Sequence, residues 1–167
     1  MRVLADRKYK FTILTAKPAD EAKPTVAELN AGIEACMKVL ADGFRFTPTD
    51  SATQSGKALC GANAQVFTDS NFILAFTIWR YYLAAGGVDP AEDELFDAVK
   101  TRGALLWAYA RISDKPATEP WAATDEIRIG ARFTVDHLQD PDTMGWISYV
   151  VPTSIEDGWT FQTPTAA

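Results

Sequence analysis

Glu126-Ile127-Arg128-Ile129-Gly130-Ala131-Arg132-Phe133-Thr134-Val135-Asp136 alternates apolar and polar side chains with a period of two. Ile127, Ile129, Ala131, Phe133 and Val135 fall on one face, and Glu126, Arg128, Arg132, Thr134 and Asp136 on the other. Successive strand side chains point to opposite faces, so this pattern predicts a half-buried antiparallel strand with one dry side and one wet side. Lys8 to Leu14 reads the same way, with Tyr9, Phe11 and Ile13 inward and Lys8, Lys10 and Thr12 outward. Phe44 and Phe46 alternate with Arg45 and Thr47 in a shorter version.

Working outward, two stretches are apolar on both faces: Asn71 to Tyr82, and Ala104 to Ile112. Helix rivals strand for either by periodicity alone, and aromatic and β-branched content tips the first toward strand. A strand dry on both faces needs a cover for each, either the chain's own helix or another subunit. Asp89-Pro90-Ala91-Glu92 has the chemistry of a helix start, with Leu95, Phe96 and Val99 as an apolar stripe and Gly103 as a stop. It predicts a helix of about ten residues capped by Asp89 and Glu92. Thr25-Val26-Ala27-Glu28 repeats the capping-box pattern ahead of Leu29, with Gly32 ending a turn or two. Lys17 to Pro24, Thr47 to Gly56 and Ser113 to Thr124 read as connections, the second as a long exposed loop or hairpin tip. Asp140-Pro141-Asp142-Thr143 reads as a tight turn before a strand over Gly145 to Thr153, and Gln162 to Ala167 as a loose end. The sum is roughly seven to nine strands with one helix after the middle, a β-sandwich or barrel with a packed α-helix.

The 167 residues favour one domain, 1–167, and are 47% hydrophobic and 23% charged, an ordinary globular balance. No apolar run approaches the roughly 20 residues that cross a bilayer. Asp6, Arg7 and Lys8 put an acid and two bases where a secretion signal needs an apolar stretch. The net charge of −6 argues against tight nucleic-acid binding but is compatible with a wall past which DNA slides.

Residues that could carry chemistry are few. Cys36 and Cys60 read as small, buried, reduced core residues. With the single His137 they are too scattered for zinc. His137 has no companion nucleophile, and neither a Gly-x-Ser-x-Gly elbow nor a phosphate-binding glycine loop is present. The carboxylates Asp89, Glu92, Asp93 and Glu94 are explained by helix capping, and Asp140 and Asp142 lack the glycine and distal glutamate of a calcium loop. Of Trp79, Trp107, Trp121, Trp146 and Trp159, three lie in strand patterns as core or interface residues. No catalytic residue, cofactor or metal is expected.

Pro24-Thr25-Val26-Ala27-Glu28-Leu29-Asn30-Ala31-Gly32, followed by Asp42-Gly43-Phe44, resembles the opening of major tail proteins of long-tailed (siphovirus-type) actinobacteriophages. Later segments agree in order: the aromatic strand Phe72–Trp79, the acidic helix Asp89–Lys100 and the closing strands. The resemblance implies a structural subunit, not an enzyme, whose sheets join across subunits into hexameric rings. Those rings would stack through an extended loop and terminal arms into the conduit for DNA ejection. Its implied partners are further copies, a tape-measure protein, tail terminator and distal tail proteins, and DNA in transit, with no membrane. Its implied place is the virion tail, after assembly in the host cytoplasm. Thr47–Gly56 becomes the expected inter-ring loop, and Lys8–Leu14, Glu126–Asp136 and Gly145–Thr153 the expected barrel wall. Arg128 and Arg132 sit awkwardly on a negative wall, and their expected partners are Glu126 or Asp136 of a neighbouring subunit. A tail terminator or head–tail connector of the same fold is the alternative, and a small-ligand-binding barrel lined by tryptophans the more distant one.

Overall fold

A computed structural model describes residues 4–57, 59, 60, 63–140 and 144–166. The strands are β1 (Tyr9–Leu14), β2 (Ile33–Glu34), β3 (Arg45–Thr49), β4 (Thr53–Lys57), β5 (Asn63–Phe67), β6 (Asn71–Trp79), β7 (Leu105–Ile112), β8 (Ile127–Val135), β9 (Ser148–Val151) and β10 (Thr153–Gln162). Two short helices join them, α1 (Val26–Ala31) and α2 (Glu94–Val99). Every strand pairing is antiparallel, in a five-stranded sheet ordered β10-β8-β7-β1-β2, a three-stranded sheet ordered β3-β6-β9, and a two-stranded ribbon of β4 and β5. The mostly-β sandwich expected from the alternation is what forms.

The two larger sheets pack face to face through Phe11, Ile13, Ala108, Ala110, Ile129, Ala131 and Phe133 on one side and Phe46, Leu74, Phe76 and Ile78 on the other. Aromatic rings meet edge-on across this layer, with the Phe76 centroid 5.8 Å from that of Phe11 and 6.4 Å from that of Phe133. Leu95 and Val99 of α2 add to the same core. The chain passes between sheets at Pro152: β9 ends at Val151 beside Phe76, and β10 begins at Thr153 beside Val135. The single strand expected over Gly145–Thr153 is therefore two, because Pro152 lies where the strand changes sheet.

The second face of the five-stranded sheet is also dry. Trp107, Tyr109, Leu14 and Ile127 cluster there with Leu29 of α1 and Trp121 of the Ser113–Thr124 loop. The expectation of a wet outer face on β1 is thus corrected. Lys10 is only 3% exposed, and Thr12 lies under Trp121, whose Nε1 donates to Thr12 Oγ1 at 2.9 Å. Lys10 Nζ reaches Glu34 at 3.3 Å and donates to the Ala117 carbonyl at 3.1 Å. The cover over the doubly apolar strand β7 is the chain's own α1 and loops. The alternation of β8 also breaks: Ile127 joins this second cluster while Ile129 faces the first. Opposite that break, Phe161 adopts φ 54.

Helix α1 forms as its capping chemistry predicts. Thr25 Oγ1 accepts from Glu28 N at 3.2 Å, and Glu28 Oε2 accepts from Thr25 N at 2.7 Å. Replacing Thr25 with alanine removes one half of this reciprocal cap and is expected to cost about 1 kcal/mol, read as a small drop in the urea midpoint. Helix α2 is shorter than expected. Asp89 Oδ1 accepts from Ala91 N at 3.1 Å and holds a turn, while the helix starts only at Glu94. Asp93, at the cap position, makes no side-chain cap because Arg80 Nε, at 2.8 Å, and Tyr81 N, at 3.1 Å, take its carboxylate. Gly103 follows with φ 80, the left-handed conformation that favours glycine.

The end expected to be loose is fastened. Gln162 belongs to β10, and Thr165 bridges Thr25 through Val26 N to Thr165 O at 3.0 Å and Thr165 N to Pro24 O at 3.1 Å. The turn expected at Asp140–Thr143 lies, from Pro141 on, outside the described residues.

Candidate assembly surface

Among the described residues three features of the surface stand out as uncovered. The first is an arm. Beyond the Thr49–Asn71 pair that ends the β3–β6 ladder, Ala52 and Thr68 continue the pairing at 2.8 Å, and β4 and β5 then pair from Thr53–Phe67 to Lys57–Asn63. Five paired residues carry the ribbon about 16 Å outward. Among the described residues it pairs with neither larger sheet, and its Val66 and Phe67 are exposed, Phe67 at 77%. The expected loop over Thr47–Gly56 is the first half of this hairpin, with Thr47–Thr49 still in β3.

The second feature is open edges. β10 has β8 on one side and no strand on the other among the described residues, and β3 likewise has only β6. Unpaired strand edges offer rows of backbone donors and acceptors to another chain. A register shift between Ile155 and Asp157, with Glu156 and Asp157 beside it, interrupts the β10 edge and blunts indiscriminate pairing.

The third feature is an apolar groove at the far end of β6. Trp79, Arg80, Tyr81 and Tyr82 form one wall and Gly145, Trp146 and Ile147 the other, around about 710 Å³ of open space. Arg80 N donates to Ile147 O at 3.0 Å, so the walls are an extension of the β6–β9 pairing. Trp146 is 88% exposed, and Trp79, Tyr82 and Ile147 are also exposed. The Arg80 guanidinium carbon lies 3.6 Å from the Phe96 ring centroid and 5.6 Å from that of Tyr82, held there by Asp93. That fixes the floor of the groove.

Behind these features the second face of the large sheet is clamped by a buried ion pair. Arg111 is 0% exposed. Its NH1 donates to Asp125 Oδ2 at 2.5 Å and to Pro120 O, and its NH2 to Pro116 O and Glu119 O. Lys115 Nζ adds a bond to Asp125 Oδ1 at 2.6 Å. Burial alone would raise the Asp125 carboxyl, but the bonds from Lys115, Ala122 N and Arg111 outweigh it and hold the group below the usual carboxylate range. The backbone amides of Thr25 and Ala19 do the same for Glu28. Carboxyls lowered by folding add stability above their unfolded pKa, roughly 4, and lose it as pH falls through the folded value. The unfolding free energy is expected to hold between neutral pH and about 5 and to fall below about 4, as urea titrations at stepped pH would show. A maximum near pH 4 would contradict this.

The residues weighed for chemistry are dispersed. His137 follows β8, and its neighbour Asp136 pairs with Arg102 at 2.9 Å. Cys36 is half-buried against the core, close to the buried reading, whereas Cys60 is exposed beyond β4, contrary to it; both are free thiols. A two-stranded ribbon standing off both sheets has no interior in which to bury a thiol. Among the described residues no three His, Cys, Asp or Glu side chains converge as metal ligands. Glu92 and Glu94 face Lys38 at 3.9 and 2.8 Å. The tryptophans are dispersed: Trp107 and Trp121 are core, Trp159 lies in β10, and Trp79 and Trp146 stand in the open groove.

Arg128 and Arg132 are also engaged within the chain. Arg128 NH2 donates to Tyr9 Oη and to Phe46 O. Arg132 pairs with Glu21 at 3.2 Å and Glu156 at 3.1 Å, in place of Glu126 or Asp136 of a neighbour. Of the three expected wall strands, β1 and β8 share the five-stranded sheet while β9 lies in the other. Sequence reasoning overlooked the Arg111 clamp; a lone arginine inside the apolar run Leu105–Ile112, followed by a carboxylate at Asp125, was the available signal.

No curated protein and no solved structure matches the chain. The family model described as phage tail tube protein matches residues 1–167. The chain belongs to the phage tail tube protein family, structural proteins that self-assemble into the tube of a virion tail and are not enzymes.

Proposed function

We propose that this chain, as one domain over 1–167, is the repeating subunit of the tail tube of a siphovirus-type actinobacteriophage. Copies close into hexameric rings, and the rings stack into the conduit through which DNA is ejected. Tape-measure, tail terminator and distal tail proteins are its other partners, assembly takes place in the host cytoplasm, and no catalytic, cofactor or metal site is involved. The observation that carries this reading is the β4–β5 arm, a ribbon that pairs with neither larger sheet among the described residues. Ring closure would use the open edges of β3 and β10, which a closed barrel of strands removes.

The sheet packing also favours one face for the channel. Both faces of the β1-β7-β8 region are covered by this chain, so the free sheet face is the outer side of β3-β6-β9. By register it presents Arg45, Thr47, Ile73, Ala75, Thr77, Ser148 and Val150, small or uncharged but for Arg45. Such a lining gives phosphates little to hold. This replaces the negative wall with a largely neutral one.

Purified protein, concentrated and imaged by negative-stain microscopy, is expected to show rings or tubes of one diameter with a regular axial repeat. Assemblies that stop at one ring would favour the terminator or connector role. A chain that stays monomeric under all tube-promoting conditions would defeat the reading.

A further inference from the structure

We infer that the Trp79–Trp146 groove is the receptor for the β4–β5 arm of a second copy of this chain. The inference rests on the tail-tube reading and adds to it which surface receives the arm.

Position supports it first. The arm leaves the three-stranded sheet at the Asn71 end of β6, and the groove opens at the Trp79 end of the same strand. Eight residue steps of strand separate them by about 27 Å, along one axis. A projection at one end and a recess at the other make a head-to-tail contact that does not close, so repeating it builds a filament.

Chemistry supports it second. The arm carries exposed Leu59, Val66 and Phe67, and the groove exposed Trp79, Tyr82, Trp146 and Ile147. Among the described residues neither patch is covered, and aromatic anchors buried at an interface carry a large share of its energy. Charge agrees. Lys57 is the only charged residue from Thr53 to Phe67. Beside the groove, Glu92 and Glu94 face Lys38 and Asp93 pairs with Arg80, while Asp89 bonds Ala91 N, so four carboxylates stand against two cations, a net of −2. A ribbon whose one charge is positive is drawn toward such an acidic neighbourhood.

The test uses the full chain with Cys36→Ser, so that Cys60 on the arm is the only thiol, and adds Ile147→Cys in the groove. After assembly, a short bifunctional thiol cross-linker is expected to give a ladder of covalent dimers, trimers and longer multimers in denaturing electrophoresis. The Cys36→Ser chain alone can give dimers at most. Tubes that form but yield nothing beyond dimers would overturn the groove assignment and leave the tube reading intact. A wild-type chain that forms neither rings nor tubes would remove the tube reading itself. Independently, Trp146→Asp alters an exposed side chain and is expected to leave rings while shortening stacks at least tenfold; tubes of wild-type length would overturn the assignment.

Discussion

Replacing Arg111 with methionine is expected to lower the unfolding free energy by about 3–5 kcal/mol, and the thermal midpoint by about 10 °C. The side chain is 0% exposed, and its guanidinium serves Asp125 and three carbonyls of the Ser113–Thr124 loop at once. Methionine fills similar space but leaves a buried carboxylate with Lys115 as its one cation and leaves the carbonyls of Pro116, Glu119 and Pro120 without this donor. An uncompensated buried charge costs more than a well-paired one ever contributes, which is why the effect is large. The loop should loosen before the sandwich unfolds, because this clamp is its main buried attachment besides the bonds of Trp121 to Asn30 and Thr12 and those of Ala117 to Lys10 and Arg7. Limited proteolysis is therefore expected to cut between Ser113 and Asp125 in the variant and not in the parent. Arg111→Lys keeps the charge but loses the planar fork, and should fall between the two. A methionine variant within 1 kcal/mol of the parent by urea denaturation would show that the clamp contributes nothing net.

What could be read from the sequence follows from how each segment is buried. β8 and β1 were legible because their inward faces meet one continuous core, so Phe11, Ile13, Ala131 and Phe133 impose a clean period. Their polar faces were misread as wet because periodicity reports polarity and not coverage. Lys10 and Thr12 are dry under a loop more than a hundred residues downstream. β10 was missed because its apolar alternation is broken: Ile155, Trp159 and Phe161 share a parity that Asp157 interrupts, and an edge strand with a register shift has no consistently buried side. The arm was half seen, since a ribbon touching no core leaves turn-like composition and nothing else. In α2 the capping signal was real but was claimed by Arg80, a tertiary partner no local rule anticipates. The groove was illegible for a similar reason, as Tyr82 and Trp146 stand 64 positions apart and meet only because β6 pairs with β9.

Truncating Phe76 to alanine is the second large effect, expected at about 3–5 kcal/mol of unfolding free energy. Phe76 is 2% exposed at the centre of β6, and its ring meets Phe11 and Phe133 of the opposing sheet edge-on. The lost contacts join the two sheets, and the cavity opens at their interface, where rigid strands on both sides limit collapse. Phe76→Leu keeps most of the volume and should cost about half as much. The consequence for assembly follows from the strand's position. β6 roots the arm at Asn71 and the groove at Trp79, so a loosened β6 disturbs the registration of both ends at once. Phe76→Ala is therefore expected to assemble poorly near its lowered midpoint and to recover when cooled or given a stabilising osmolyte. Leu59→Asp, which leaves the core untouched, should fail to stack at any temperature. If cooling rescues Leu59→Asp as well as Phe76→Ala, the arm contributes only by being folded. If it rescues Phe76→Ala alone, the arm's own apolar surface makes the contact.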